Sequence, residues 1–303
     1  MQQSISFEKL TWTVVEDPDA ESLLALKEKH GFHELDIEDC LSENQRSKVD
    51  EYEDYLFIIL HIPYFDKRKQ RIVSEEVDIF IKANLLITVH WGGLKPLNDF
   101  YALTEKSLTE RKKVMGHSSG YLMYEIVDHL FAGLFPLLDN IESNVNSLEQ
   151  EAFLGGQKDM LKEILNTKKN IIGFRRVMAP LRTVVAQIEH KNKKFLPDSL
   201  EVYFDDVLDK VEKIWSNLEN LKELVESLQD TNESLISHTT NNVIKTLTVF
   251  SVVMLPLNLL AGMYGMNVHL PYAQHPLIFF VLAGGMLFIL FVMLVFFRFK
   301  RWI

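Results

Sequence analysis

NNVIKTLTVFSVVMLPLNLLAGMYGMN, residues 241–267, is the stretch on which the architecture of this chain turns. After Lys245 it holds 21 residues, Thr246 to Met266, without one Asp, Glu, Lys or Arg, and it ends on GMYGMN at 262–267. Another 31 residues free of these charges follow, Asn267 to Phe297. Crossing about 30 Å of hydrocarbon takes about 20 apolar residues, so each run can hold a membrane helix. The polar NVHLPYAQHP between them is only ten residues long, so the two helices form a hairpin with a short exposed loop. The spans are placed at 243–266 and 277–297, the loop at 267–276 and a basic tail at 298–303.

Working outward, the flanks set the orientation. Arg298, Lys300 and Arg301 close the chain, Lys245 precedes the first span, and the loop has neither Lys nor Arg. The positive-inside bias then puts both termini in the cytoplasm, with the spans in the plasma (cell inner) membrane. MQQSISFEKL has no basic segment leading into an apolar one, so no signal peptide is expected. Cys40 is the single cysteine and cannot form an internal disulfide, which suits a reducing compartment. All 42 Asp and Glu lie at or before Glu233. They face the 28 Lys and Arg that remain of 32 once Lys245, Arg298, Lys300 and Arg301 are set aside, a net charge near −14. Such a field repels nucleic acid and attracts cations, although ordinary surface acidity reads the same way.

Residues 1 to about 95 read as mixed α/β. SFEKLTWTVV, Tyr55–Phe65 and Val77–Trp91 are rich in β-branched and aromatic residues, and the last contains a turn signal at Lys82, Ala83 and Asn84. Residues 21–43 carry helical spacing broken at Gly31. Beyond Lys95 nearly everything favours helix, interrupted by GHSSG (116–120), LGG (154–156) and LPDS (196–199). The domain expectation is a cytoplasmic α/β and helical domain over 1–198 and a stalk helix over 199–242.

From Val207 the apolar residues step by four and three: Val211, Ile214, Leu218, Leu221, Val225, Leu228, then Asn232, Leu235 and Thr239. That is a seam of coiled-coil period. A helix running from 199 to 264 would be about 100 Å long and unstable alone in water, so parallel copies around an axis are expected to cover it. Nearer the membrane the stripe turns polar: Ser237, Asn241, Ile244, Ser251, Leu255 and Asn258 share a face. Hydroxyls and amides broken by Ile and Leu suit a hydrated pore with apolar constrictions, and equally suit small polar residues joining helices.

The YGMN at 264–267, between two spans and ahead of a basic tail, resembles the CorA family of divalent-cation channels, whose signature is Gly-Met-Asn. YFDDVLD (203–209) and YFDKRKQRIVSEEVDIFI (64–81) also look like family segments. The resemblance implies a funnel-shaped homopentamer: an α+β cytoplasmic domain, a long stalk helix and two C-terminal transmembrane helices. It implies passive Mg²⁺ uptake, Co²⁺ and Ni²⁺ as further substrates, and Zn²⁺ in some members.

Mg²⁺ gives up water reluctantly, so its filter should offer neutral oxygen acceptors spaced for a hydrated ion. Asn267 supplies an amide carbonyl and Gly265 the backbone freedom to turn its own carbonyl inward, while Met266 packs, being too soft for Mg²⁺, and Tyr264 braces the loop. A helix stop with Gly and Asn as caps would use the same letters. By resemblance, Asn241, Ile244, Leu247, Leu255 and Asn258 face the pore, Ser251 shares their stripe, and Asp230 matches an acidic ring in the stalk. Asp66 and Asp206 match a regulatory Mg²⁺ site between adjacent subunits. Two facing carboxylates repel unless a cation bridges them, so losing Mg²⁺ would favour open states. Lys245, Arg298, Lys300 and Arg301 form a basic collar at the cytoplasmic exit or anchor the chain to anionic lipid.

The loop departs from many family members in having no acidic residue. It offers His269 and His275, and imidazole suits Zn²⁺, Co²⁺ and Ni²⁺ better than Mg²⁺. No enzyme is expected: there is no phosphate-binding glycine loop, and HELDIED (33–39) lacks the second His of a zinc-protease helix. A membrane-anchored coiled-coil scaffold that conducts nothing is the alternative of another class.

Overall fold

The structure, a computed structural model, describes residues 1–42, 45–92, 94–153, 158–190, 195–268 and 276–302. Packing divides the chain into two compact units, Met1–Gln229 and Asp230–Ile303.

The first unit is built on a six-stranded sheet. Strands β1 (Gln2–Phe7), β2 (Leu10–Glu16), β3 (Lys48–Glu51), β4 (Leu56–Asp66), β5 (Arg71–Lys82) and β6 (Leu85–His90) lie in the order β1-β2-β6-β5-β4-β3. Neighbours are antiparallel except β2 and β6, which run parallel. The turn at Ala83–Asn84 joins β5 to β6 where the sequence signalled one. Side chains alternate across a strand, and here both faces are buried. Phe57, Ile59, Phe80, Ile87 and Val89 pack on Leu23, Leu26, Ile37 and Cys40 of α1 (Ala20–His30) and α2 (Glu34–Leu41). Gly31 separates these two helices in left-handed backbone, φ 72°, as a C-cap requires.

Leu56, Ile58, Leu60, Val77, Ile79 and Ile81 point to the other side. There they share a core with α3 (Lys95–Lys106), α4 (Leu108–Met115), α5 (Ser119–Ala132), α6 (Phe135–Phe153), α7 (Lys158–His190) and the start of α8 (Glu201–Tyr264). GHSSG divides α4 from α5, with Ser118 capping α5 by accepting from Tyr121 N–H. A short 3₁₀ turn, Asp198–Leu200, leads from LPDS into α8. The LGG segment lies outside the described residues.

Among the described residues three helical stretches are long and apolar enough to cross a membrane, one more than the sequence reading placed: Ser119–Ala152, the helix ending at Tyr264, and Leu277–Phe299. The first belongs to the core of the first unit, because Leu122, Met123, Ile126, Val127, Leu130 and Phe131 are buried inside it.

One expectation is corrected. From Val207 to Leu228 the seam of α8 needs no second copy, since Val207, Val211, Ile214, Leu218, Val225 and Leu228 are buried within a single chain. Ile164, Ile171, Phe174, Met178, Leu181 and Val185 of α7 are buried in the same core. Along the flank Arg182 grips Glu212 with two hydrogen bonds of 2.7 and 2.8 Å, and Arg175 bonds Glu219. The indole of Trp215 carries both guanidinium groups, 4.7 and 5.2 Å from its centre. A helical repeat reports an apolar face but not the chain that fills it.

In the second unit, Val249 and Val253 of α8 pack with Leu290, Met293 and Phe297 of α9 (Pro276–Phe299). Lys245 Nζ donates to the carbonyl of Arg301 at 2.9 Å and lies 5.9 Å from the centre of the Trp302 ring.

Candidate functional site

Val249 and Val253 define the side of α8 that α9 covers. At about 100° per residue, Ile244, Leu247, Ser251, Leu255 and Asn258 fall roughly half a turn away from that side. All five are exposed in the single chain, as is Asn241. The hydroxyls of Thr246 and Thr248 are returned to the carbonyls of Asn242 and Ile244 at 2.9 and 2.8 Å, so neither adds free polarity. The uncovered face carries polar groups, among them Asn241, Ser251 and Asn258, interleaved with apolar side chains. Asp230, at the start of this unit, is exposed as well.

Helix α8 stops at Tyr264, where the N–H groups of Gly265 and Met266 bond back to Ala261 O and Met263 O at 2.9 and 3.4 Å. The expected freedom of Gly265 is not used for a left-handed turn: among the described glycines only Gly31 and Gly92 have positive φ. A methyl group on Gly265 would instead sit 3.1 Å from the Ala261 carbonyl, so the glycine answers a close approach. Tyr264, Met266 and Asn267 are exposed. His269 and His275 lie outside the described residues.

The two regulatory candidates take different partners. Asp66 closes the β4–β5 turn, its Oδ1 accepting from the N–H groups of Arg68 and Lys69 at 2.8 and 3.1 Å. Those bonds, that of Lys69 first, hold its pKa below the usual aspartate value, so the group is ionised at neutral pH. Asp206 lies on α8 and bonds Lys210 one turn on, Oδ2 to Nζ 2.6 Å. The same ammonium is 2.5 Å from Asp128 Oδ1 of α5. Burial works against the charge on Lys210, yet the bonds to Asp128 and Asp206 prevail and push its pKa up to about 12. Sequence reading missed Asp128 and Lys210; the spacing of Asp206 and Lys210 was visible, the approach of Asp128 was not. Carboxylate oxygens suit a hard divalent cation, so Asp66 and Asp206 fit a regulatory Mg²⁺ chemically.

Asp36, Asp39 and Asp50 also converge. Each already has a partner: Tyr52 and Tyr55 donate to the two oxygens of Asp36 at 2.9 and 2.5 Å, and Lys48 bridges one oxygen each of Asp39 and Asp50 at 2.8 and 2.5 Å.

The family model described as CorA-like Mg²⁺ transporter protein matches residues 7–301. The chain belongs to the CorA family. A cobalt/magnesium transport protein CorA of Thermotoga maritima is 29% identical over 275 residues, covering 90% of this chain and 77% of that protein. The complete structure of the CorA magnesium transporter from Methanocaldococcus jannaschii aligns with a TM-score of 0.85 at 26% identity, over 99% of this chain and 94% of that one. The ZntB cytoplasmic domain from Vibrio parahaemolyticus, 15% identical with a TM-score of 0.62 over 78% of this chain and 89% of that one, shares the fold. The CorA architecture of a sheet-and-helix domain, one long helix and a C-terminal helix is therefore that of this chain.

Proposed function

We propose that the chain is the protomer of a passive Mg²⁺ channel of the plasma membrane, with both termini cytoplasmic. The carrying observation is the uncovered face of α8, with Asn241, Ser251 and Asn258 interleaved among Ile244, Leu247 and Leu255, leading to Gly265–Asn267 in a chain of the CorA family. Copies arranged around an axis, five by family resemblance, would turn that face inward. Amide and hydroxyl oxygens then hold the water shell of the ion, and the apolar positions close the path by dewetting. Asn267, with the Gly265 carbonyl, supplies neutral acceptors at the mouth, while Met266 and Tyr264 pack around them. Asp230 adds an acidic ring in the stalk, and Lys245 with Arg298, Lys300 and Arg301 forms the collar at the exit.

The membrane potential drives entry, contributing about 4.6 kcal/mol per 100 mV for a divalent ion. Cytoplasmic Mg²⁺ closes the channel by joining Asp206 of one copy to Asp66 of the next. Co²⁺ and Ni²⁺ have the charge and hydration to follow the same path.

The test is Mg²⁺ entry into liposomes holding the purified protein, with internal Mg²⁺ absent or millimolar, beside Asn267→Ala. Uptake that the mutation abolishes and internal Mg²⁺ suppresses supports filter and gate. Entry of Zn²⁺ without Mg²⁺ would overturn the substrate, and entry of no ion would leave a scaffold.

A further inference from the structure

Lys210 lines no part of the ion path, yet its ammonium sits between two carboxylates, 2.6 Å from Asp206 and 2.5 Å from Asp128. We propose that Lys210 is a built-in competitor for the divalent cation at Asp206 and thereby sets the Mg²⁺ concentration at which the channel closes. This rests on the reading of Asp206 as a gating residue.

The placement follows from the fold. Asp206 and Lys210 are four residues apart on one helix, acid toward the N-terminus, the favoured order for such a pair. Asp128 comes from α5, packed against α8 in the same core, and fixes the ammonium from a second direction. The rings of Tyr124 and Tyr203, from α5 and α8, meet at 5.0 Å between centres. Lys210 and Asp128 are about a quarter exposed at their side chains, whereas Asp206 is 58% exposed and open to an arriving ion.

An ammonium between two carboxylates does part of what a divalent cation does, with half the charge and without leaving the chain. A tethered group acts at a high effective concentration, on the order of millimolar or above. Mg²⁺ reaching Asp206 therefore either displaces the ammonium or binds beside a like charge, and both weaken it. Removing the lysine charge frees two carboxylates at once. Each partly exposed pair accounts for a modest factor, so together they should move the Mg²⁺ midpoint about three- to tenfold.

The experiment follows chymotrypsin cleavage of purified full-length protein against Mg²⁺ concentration; this protease does not cut at lysine. The variants are Lys210→Met, which keeps an unbranched stem, Lys210→Arg, which keeps the charge, and Asp206→Asn. We expect protection at three- to tenfold lower Mg²⁺ in Lys210→Met and an unshifted midpoint in Lys210→Arg. Protection that appears only once Lys210 is replaced supports the proposal too, since the ammonium then holds the site outright. An unchanged or higher midpoint in Lys210→Met, with protection lost in Asp206→Asn, overturns the proposal and spares the gate. Wild-type protection that persists in Asp206→Asn overturns both, as does an absence of protection in every variant.

Discussion

Replacing Leu218 by Ala should destabilise the protein strongly, and by an amount independent of its concentration. Leu218 is fully buried in the core shared by α7 and α8 of one chain. A core Leu→Ala change costs about 2–5 kcal/mol, the upper range applying where the neighbours cannot collapse into the space. Here Trp215, held by Arg175 and Arg182, limits such relaxation, so about 3 kcal/mol is expected. At about 2–4 °C per kcal/mol for a unit of this size, the melting temperature should fall by about 6–12 °C. Leu235 occupies an equivalent seam position but is 39% exposed in the single chain. Its replacement by Ala should leave the first unit intact and act only on the proposed contacts between copies, which depend on concentration by mass action. The assay is thermal unfolding by intrinsic tryptophan fluorescence in detergent, at two protein concentrations tenfold apart. A shift below about 3 °C for Leu218→Ala, or one that grows on dilution, would refute cover of the seam by the same chain.

Gly120→Ala should lower the melting temperature by several degrees, because the new Cβ would collide with the Phe195 carbonyl and lie 3.0 Å from side-chain carbons of Leu196 and Leu200. Overpacking of this kind costs about 1–3 kcal/mol, and an unchanged melting temperature would contradict that close approach. Asp78 is 2% exposed, its Oδ1 has no hydrogen-bond partner among the described residues, and burial raises its pKa well above the aspartate range. The folded state thus keeps this proton to higher pH than the unfolded one, so its contribution is full below about pH 4 and is lost as pH rises toward the raised folded value. Asp78→Asn, neutral throughout, should flatten the fall of stability with pH measured by denaturant titration; an unaltered slope would count against a raised Asp78.

The two long apolar runs, the β5–β6 turn and the breaks at Gly31 and GHSSG were legible because each depends on local properties. A hydrocarbon layer about 30 Å thick demands an unbroken apolar run, and strands and helices show their buried faces at periods of 2 and 3.6. The filter and pore candidates were named from residue type and resemblance, and the structure adds that Ile244 to Asn258 stand opposite the side α9 covers. What a buried face touches is not local. The seam of α8 could not reveal that the core of the same chain buries it from Val207 to Leu228, nor could the hydropathy of Ser119–Ala152 reveal that Leu122, Ile126 and Leu130 are buried in that core. Gly265, named for the freedom to turn its carbonyl, lies in the turn that follows α8 without a positive φ, where a methyl group would sit 3.1 Å from the Ala261 carbonyl.

Lys210 shows the division most sharply. Its pairing with Asp206 lies within one helical turn and can be read from spacing, whereas Asp128 is 82 residues away. The sequence by itself determined which segments are long and apolar enough to cross a membrane and which faces are apolar, and the resemblance named the residues proposed to meet a hydrated cation. Only the tertiary structure decided which apolar faces the chain covers itself and which carboxylates share one ammonium, because closing long loops brings together groups that no local period relates.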